Sequence, residues 1–262
     1  LSDRLGIDTD SIRVAFGDTN QSPWGGGTYS SRTAVLGGTA IALAADKVID
    51  KGTSIAAHLL EAARADMEFT GGEYKVAGTD KSVSFTEVAR AAYQPGKIPE
   101  GMEPGLMETA TFDPGVPTFP NGAHVVEVEI DPDTGKTDVT RFTAIQDAGK
   151  AVHPAYVEGQ MQGGAAQGIG WALNEEYYME EDGSMANSSF LDYRMPTSLD
   201  LPPIDTILVE VPNPLHPYGV RGVGETPICP PIPAIANAIA NAIGTRLYNT
   251  PMNAGSIMEA LS

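Results

Sequence analysis

The chain has 262 residues, 42% of them hydrophobic, which is enough for a real core in one large domain or two lobes. Its 34 acidic residues against 16 basic ones give a net charge of −18, which argues against nucleic acid or an anionic membrane surface as partner. A single cysteine, Cys229, excludes an internal disulfide framework and any Cys-ligated iron–sulfur cluster held by this chain alone, and no apolar run approaches the length of a membrane span.

The lone thiol fits a reducing compartment, and Leu1 to Ile7 lack a signal peptide's basic start and apolar core, so a cytoplasmic location is expected. The chain opens without Met, which reads as a fragment or a processed chain.

In chain order, Ser11 to Gly17 reads as a strand through Ile12, Val14 and Phe16, ending at Gly17-Asp18-Thr19. Gly25-Gly26-Gly27-Thr28-Tyr29-Ser30-Ser31-Arg32 then introduces a helix from Ala34 to Ile49, apolar nearly all round and so expected to be buried on most sides. A Gly-rich turn before a helix presents backbone N–H groups and the positive end of the dipole, a place for an oxyanion or phosphate. An ordinary capped helix after a loop is the alternative, and no Gly-Lys-Ser/Thr follows to make a P-loop.

A second helix is expected over Ile55 to Met67, then a turn at Gly71-Gly72, a strand over Tyr74 to Ala77, and a third helix opened by Ser84-Phe85-Thr86-Glu87 at capping-box spacing. His58, among apolar neighbours, reads as a packing or surface residue. Pro95 to Gly115, rich in Pro, Gly, Met and Glu and without periodicity, is the expected linker or crossing between two lobes, residues 1–105 and 106–262.

From Gly122 the pattern turns to β. Val126, Val128 and Ile130 alternate with Glu127 and Glu129, Asp131-Pro132-Asp133-Thr134-Gly135 makes the turn, and Thr137 to Gln146 returns. Tyr156 to Tyr178 reads as a helix despite Gly159, Gly163, Gly164, Gly168 and Gly170, each of which weakens it by roughly 1 kcal/mol relative to Ala. A compensating close approach is expected, by another backbone or by a planar cofactor, with the amides of Gln160, Gln162 and Gln167 at hand.

A strand follows at Ile207 to Val211. His216, in a Pro-rich loop, has no carboxylate or Ser at a diagnostic spacing, so neither a hydrolase triad nor a zinc site is expected. Gly219-Val220-Arg221-Gly222-Val223-Gly224-Glu225 then places one carboxylate among three glycines, where the backbone can approach a bound group closely. The bland alternative is a tight connection with Glu225 pointing at a helix N-terminus. The following helix carries Ile232, Ile235, Ile239 and Ile243 at helical spacing, with Pro233 in its first turn and Gly244 as its stop.

Several of these motifs, in this order, resemble the molybdenum hydroxylases, the family of xanthine dehydrogenase, aldehyde oxidase and aerobic carbon monoxide dehydrogenase. They are Gly17-Asp18-Thr19, Gly27 to Arg32, Phe119 to His124, Asp131 to Gly135, Asp147-Ala148-Gly149, Glu158-Gly159-Gln160, Asp192 to Pro196 and Gly222 to Glu225. The resemblance implies an α+β fold, two lobes of related β–α units, matching the second molybdopterin-binding domain of the molybdenum subunit. It implies a molybdenum–molybdopterin cofactor, with the cytosine dinucleotide as one form. Gly27, Thr28, Tyr29, Ser30, Ser31, Arg32, Gln160 and Gly224 would line it, with no side chain ligating the metal, and Glu225 would be the active-site base. Arg221 would either pair with Glu225 or hold the substrate.

The implied activity is oxidation of an aldehyde, an N-heterocycle or a similar small substrate with water-derived oxygen. Carbon monoxide oxidation is the variant within the family, and a non-catalytic cofactor-binding or assembly module is the alternative. The family's earlier half, with another Gly-rich cofactor loop, has no match here, so the expected partners are that missing half and iron–sulfur and FAD subunits or domains, in a higher oligomer.

Overall fold

Local signals account for most element boundaries in the computed structural model, which describes residues 1–21 and 25–262. Contacts divide the chain into two units, Leu1–Thr28 with Leu36–Gly115, and Tyr29–Val35 with Val116–Ser262.

The first unit holds α1 (Ser2–Leu5), most of α2 (Thr33–Leu60), the antiparallel sheet β1 (Met67–Thr70), β2 (Glu73–Val76) and β3 (Ser82–Ser84), and α3 (Phe85–Ala91). Gly71 and Gly72, with φ of 59° and 81°, form the two-residue loop between β1 and β2. Two positive φ angles give the turn whose twist suits an antiparallel pair. The capping box at Ser84 is formed in full: its hydroxyl accepts from the Glu87 N–H, and the Glu87 carboxylate accepts from the Ser84 N–H.

Three expectations fail in this unit. The strand over Ser11 to Gly17 does not form. Thr9–Ser11 make a 3₁₀ turn, residues 12–16 join no sheet, and Val14 and Phe16 are 72% and 83% exposed. Alternation alone supplies no ladder partner.

The two helices expected over Ala34 to Met67 are one, running through Gly52 to Leu60 and stopping where Glu61 turns left-handed at φ 52°. Gly52 does not break it, because Gly is what the packing needs there. A Cβ at Gly52 would lie 2.1 Å from the hydroxyl of Tyr74, a fully buried side chain packed with Ile55, Val88 and Ala92. Nor is the helix buried on most sides: Val35, Thr39, Ala42 and Ala45 are buried, whereas Ile41 and Leu43 are exposed. The Pro95 to Gly115 stretch lies in this unit, with Ile98, Met102 and Leu106 packed on its core.

The second unit contains a sheet of order β4 (Asn121–Ile130), β5 (Thr137–Asp147), β6 (Ile204–Val209). β4 and β5 are an antiparallel hairpin with a bulge at Glu127/Val128, and β5 and β6 are parallel. Between β5 and β6 runs α4 (Pro154–Leu173); α5 (Pro231–Ile243) and α6 (Ala254–Leu261) complete the unit. Phe142 and Ala144 of the sheet, Met161, Ala165 and Ile169 of α4, Ile235 and Ile239 of α5, and Ile257 of α6 form one core.

The glycines of α4 are partly explained by this packing. A Cβ on Gly164 would stand 2.7 Å from Pro227 Cβ, and one on Gly168 would stand 2.6 Å from Pro231 Cβ, so α4 lies directly against the start of α5. Gly159 and Gly163 face open space instead. α4 stops at Leu173, five residues short of the expected Tyr178. α5 ends at Gly244, left-handed with φ 75° as its stop position requires.

Candidate functional site

Three of the segments singled out by sequence meet within the second unit: Tyr29–Val35, the first half of α4, and Gly219–Glu225. The decisive link is the backbone N–H of Glu225, which donates to Ser31 Oγ at 2.8 Å. Ser30 and Ser31 take φ of 52° and 51°, unusual for residues with a side chain and costly unless the surroundings hold them. Beside them the Arg32 guanidinium lies 3.6 Å from the centre of the Tyr29 ring.

Gly222 and Gly224 are glycines for a visible reason. A Cβ on Gly222 would sit 2.7 Å from Ser31 Cβ, and one on Gly224 would sit 3.3 Å from Gln160 Oε1 and 3.4 Å from Ser31 Oγ. Ser31 occupies the place that a side chain on Gly222 would need, and the Gln160 amide and the Ser31 hydroxyl stand against Gly224, with Gln160 and Glu225 both exposed beside them. An amide, a hydroxyl and an exposed carboxylate brought together in this way offer groups that donate and accept hydrogen bonds to a polar ligand.

Arg221 has a carboxylate partner, but it is Asp147. Arg221 Nε lies 3.3 Å from Asp147 Oδ2, and the two side chains are only 15% and 11% exposed. Arg221 also donates to the carbonyls of Val211 and Thr118. Asp147 in turn accepts from the N–H groups of Gly149 and Val211. With its guanidinium committed to the Asp147 carboxylate and to the carbonyls of Val211, Thr118 and Phe119, Arg221 fastens the loop rather than pairing with Glu225. Gly27, with φ 72°, and Thr28 belong to the first unit.

Two features escaped the sequence reading. His216, set aside as non-catalytic, is buried and linked to Ala34 and Val220. A groove of about 950 Å³ runs along α4 past Gly163, Gln167 and Trp171 to Phe190, Tyr193 and Met195. Glu175 accepts from the Tyr193 hydroxyl at 2.7 Å, and that bond pushes the phenol up to about 12. The sequence signals near the groove were Gly163, Gln167 and Trp171 at helical spacing and the Asp192 to Pro196 motif, which supplies Tyr193, Met195 and Pro196.

Residues 1–202 match the family described as molybdopterin cofactor-binding domain. The chain belongs to that family. It is 38% identical over 265 residues to the carbon monoxide dehydrogenase large chain of Hydrogenophaga pseudoflava, covering 100% of this chain and 33% of that one. It is 38% identical over 249 residues to the gamma subunit of the 6-hydroxypseudooxynicotine dehydrogenase complex of Paenarthrobacter nicotinovorans, covering 95% of this chain and 31% of the relative.

Among solved structures it resembles a Cu,Mo-CO dehydrogenase with a TM-score of 0.90 at 34% identity, over 98% of this chain and 33% of that one. Quinoline 2-oxidoreductase from Pseudomonas putida 86 follows the chain with a TM-score of 0.82 at 37% identity, over 91% of this chain and 31% of its own. The molybdopterin-binding domain thus spans about a third of the length of the relatives it matches. The family match ends before Gly219–Glu225, whereas the alignment with the carbon monoxide dehydrogenase large chain takes in the whole chain. No helix is long and apolar enough to cross a membrane among the described residues.

Proposed function

We propose that this chain is the C-terminal molybdopterin-holding portion of a molybdenum-dependent oxidoreductase that oxidises an aldehyde, an N-heterocycle or a similar small substrate. The observation that carries this reading is the convergence of Ser31, Gln160 and Glu225 around Gly222 and Gly224. When bound, the molybdenum cofactor supplies a Lewis-acidic, redox-active centre for chemistry with water-derived oxygen.

The chain's own residues hold and orient. The Gln160 amide would donate to and accept from the pterin, and the segment Gly27, Thr28, Tyr29, Ser30, Ser31 and Arg32 would offer N–H and hydroxyl groups to its oxygens. Glu225 accepts the proton at its carboxylate, as general base. Its backbone bond to Ser31 fixes where that carboxylate stands relative to the cofactor-holding segment.

This reading assigns the remaining groups of the site to the rest of the molybdenum subunit, and the electron acceptors to iron–sulfur and FAD partners in a higher oligomer. It includes the cytosine dinucleotide form of the cofactor and a cytoplasmic location. Carbon monoxide is the alternative substrate, favoured by the 38% identity to a carbon monoxide dehydrogenase large chain.

The test is the molybdenum and dinucleotide content of the chain copurified with its native partners. One cofactor per chain supports the reading; a correctly assembled complex without molybdenum rejects catalysis in favour of a scaffolding or assembly role.

A further inference from the structure

A buried histidine outside the proposed chemistry joins two of the segments that make the site. His216 is 6% exposed, between Leu215 and Pro217. Its Nδ1 accepts from the backbone N–H groups of Tyr218 and Val220 at 3.0 and 3.4 Å. The ring proton therefore sits on Nε2, which donates to the Ala34 carbonyl at 3.3 Å. Asn213 closes the same turn, its Oδ1 accepting from the Leu215 N–H at 3.0 Å and its Nδ2 donating to the Val220 carbonyl at 3.1 Å.

We propose that His216 is a positioning residue, whose ring spans from Val220 to Ala34 and sets the register in which Ser31 meets Glu225. Ala34 lies three residues beyond Ser31, and Val220 lies five residues before Glu225. The segments are about 180 positions apart in sequence, and the stretches that meet are a proline-rich loop, the first turn of α2 and the residues just before it, so no sheet ladder aligns them. A single link between two such strands of chain leaves a hinge. Two links, His216 to Ala34 and Glu225 to Ser31, fix both position and direction. They also supply an outside restraint on the left-handed conformations of Ser30 and Ser31, which those residues do not favour by themselves. The inference rests on the proposed function for what the site does, but not for its geometry.

The test is amide hydrogen exchange on the full chain, comparing wild type with His216→Phe, His216→Asn and His216→Gln. Phe keeps the ring volume without the bonds, Asn replaces the Nδ1 acceptor but falls short of Ala34, and Gln reaches Ala34 with an N–H. Exchange at the Glu225 amide should rise about tenfold or more in the Phe and Asn variants and less in the Gln variant, while β4–β5 amides change by less than about twofold. A Glu225 amide unchanged in the Phe and Asn variants, or rising in step with the hairpin amides, overturns the inference. If the Phe variant does not fold, the Asn and Gln variants decide.

Because exchange is read without cofactor, failure of the two readings is distinguishable. A wild-type complex that holds no molybdenum refutes the proposed function alone, and unchanged exchange refutes the positioning role alone.

Discussion

Glu225 donates its backbone N–H to the hydroxyl of Ser31, a residue 194 positions earlier in the chain. That bond ties the carboxylate-bearing loop to the segment with two consecutive left-handed serines, and it leaves the Glu225 side chain exposed for chemistry.

Glu225→Gln retains size and hydrogen bonding while deleting the base. In the assembled enzyme it should keep molybdenum content near wild type and lower kcat by about 10² to 10⁴. Metal analysis and steady-state kinetics on the same preparation check this, and near-native kcat would remove Glu225 from the mechanism.

Gln160→Ala should act on holding rather than turnover. Its exposed amide stands against Gly224, where a Cβ would come within 3.3 Å of Oε1. Losing one polar contact to the cofactor should weaken retention about tenfold. Cofactor content after extended dialysis measures it, and unchanged retention would make Gln160 a packing residue.

Arg221→Ala should cost about 3 kcal/mol of stability. It leaves Asp147 buried without its cation and frees the carbonyls of Val211 and Thr118. Urea unfolding followed by circular dichroism reports the change. A loss below about 1 kcal/mol would mean that solvent already screens the pair.

Stability should fall as pH drops from about 6.5 to about 4. The ring nitrogens of His124 are buried with no hydrogen-bond partner among the described residues, against Phe142, and burial lowers its pKa from 6.5 to about 4. Burial shifts His216 in the same direction. Between the two values the unfolded chain binds the proton and the folded chain does not, so the stabilisation is complete above about 6.5 and is lost on acidification. The carboxylates of Glu87, Asp131 and Asp200, held below their ordinary values, add losses at lower pH. Removing the titration with His124→Phe should flatten the slope in that window by on the order of 1–2 kcal/mol. Equal slopes in mutant and wild type between pH 7 and 4.5 would count against it.

What could be read from sequence was what short-range chemistry decides. The Ser84 capping box, the Gly71-Gly72 turn, the alternating hairpin around Asp131 and the Gly244 stop each depend on residues within a few positions of one another, so each appeared where its signal stood. The order of motifs from Gly17-Asp18-Thr19 to Gly222–Glu225 likewise pointed to the family without any structure.

Tertiary structure decided everything that needed a distant partner. Ile12 to Phe16 alternate like a strand but pair with none among the described residues, and the gap expected between Ile49 and Ile55 closes into one helix because the Tyr74 hydroxyl packs where only a residue as small as Gly52 fits. Arg221 stood four residues from Glu225 in sequence yet found Asp147, because hydrogen bonds from Gly149 and Val211 had already placed that carboxylate beneath the loop. His216 carried no motif at all. Its bonds to Val220 and Ala34 arise only when packing brings a proline-rich loop against a segment some 180 residues earlier, and spacing along a chain holds no record of such a meeting.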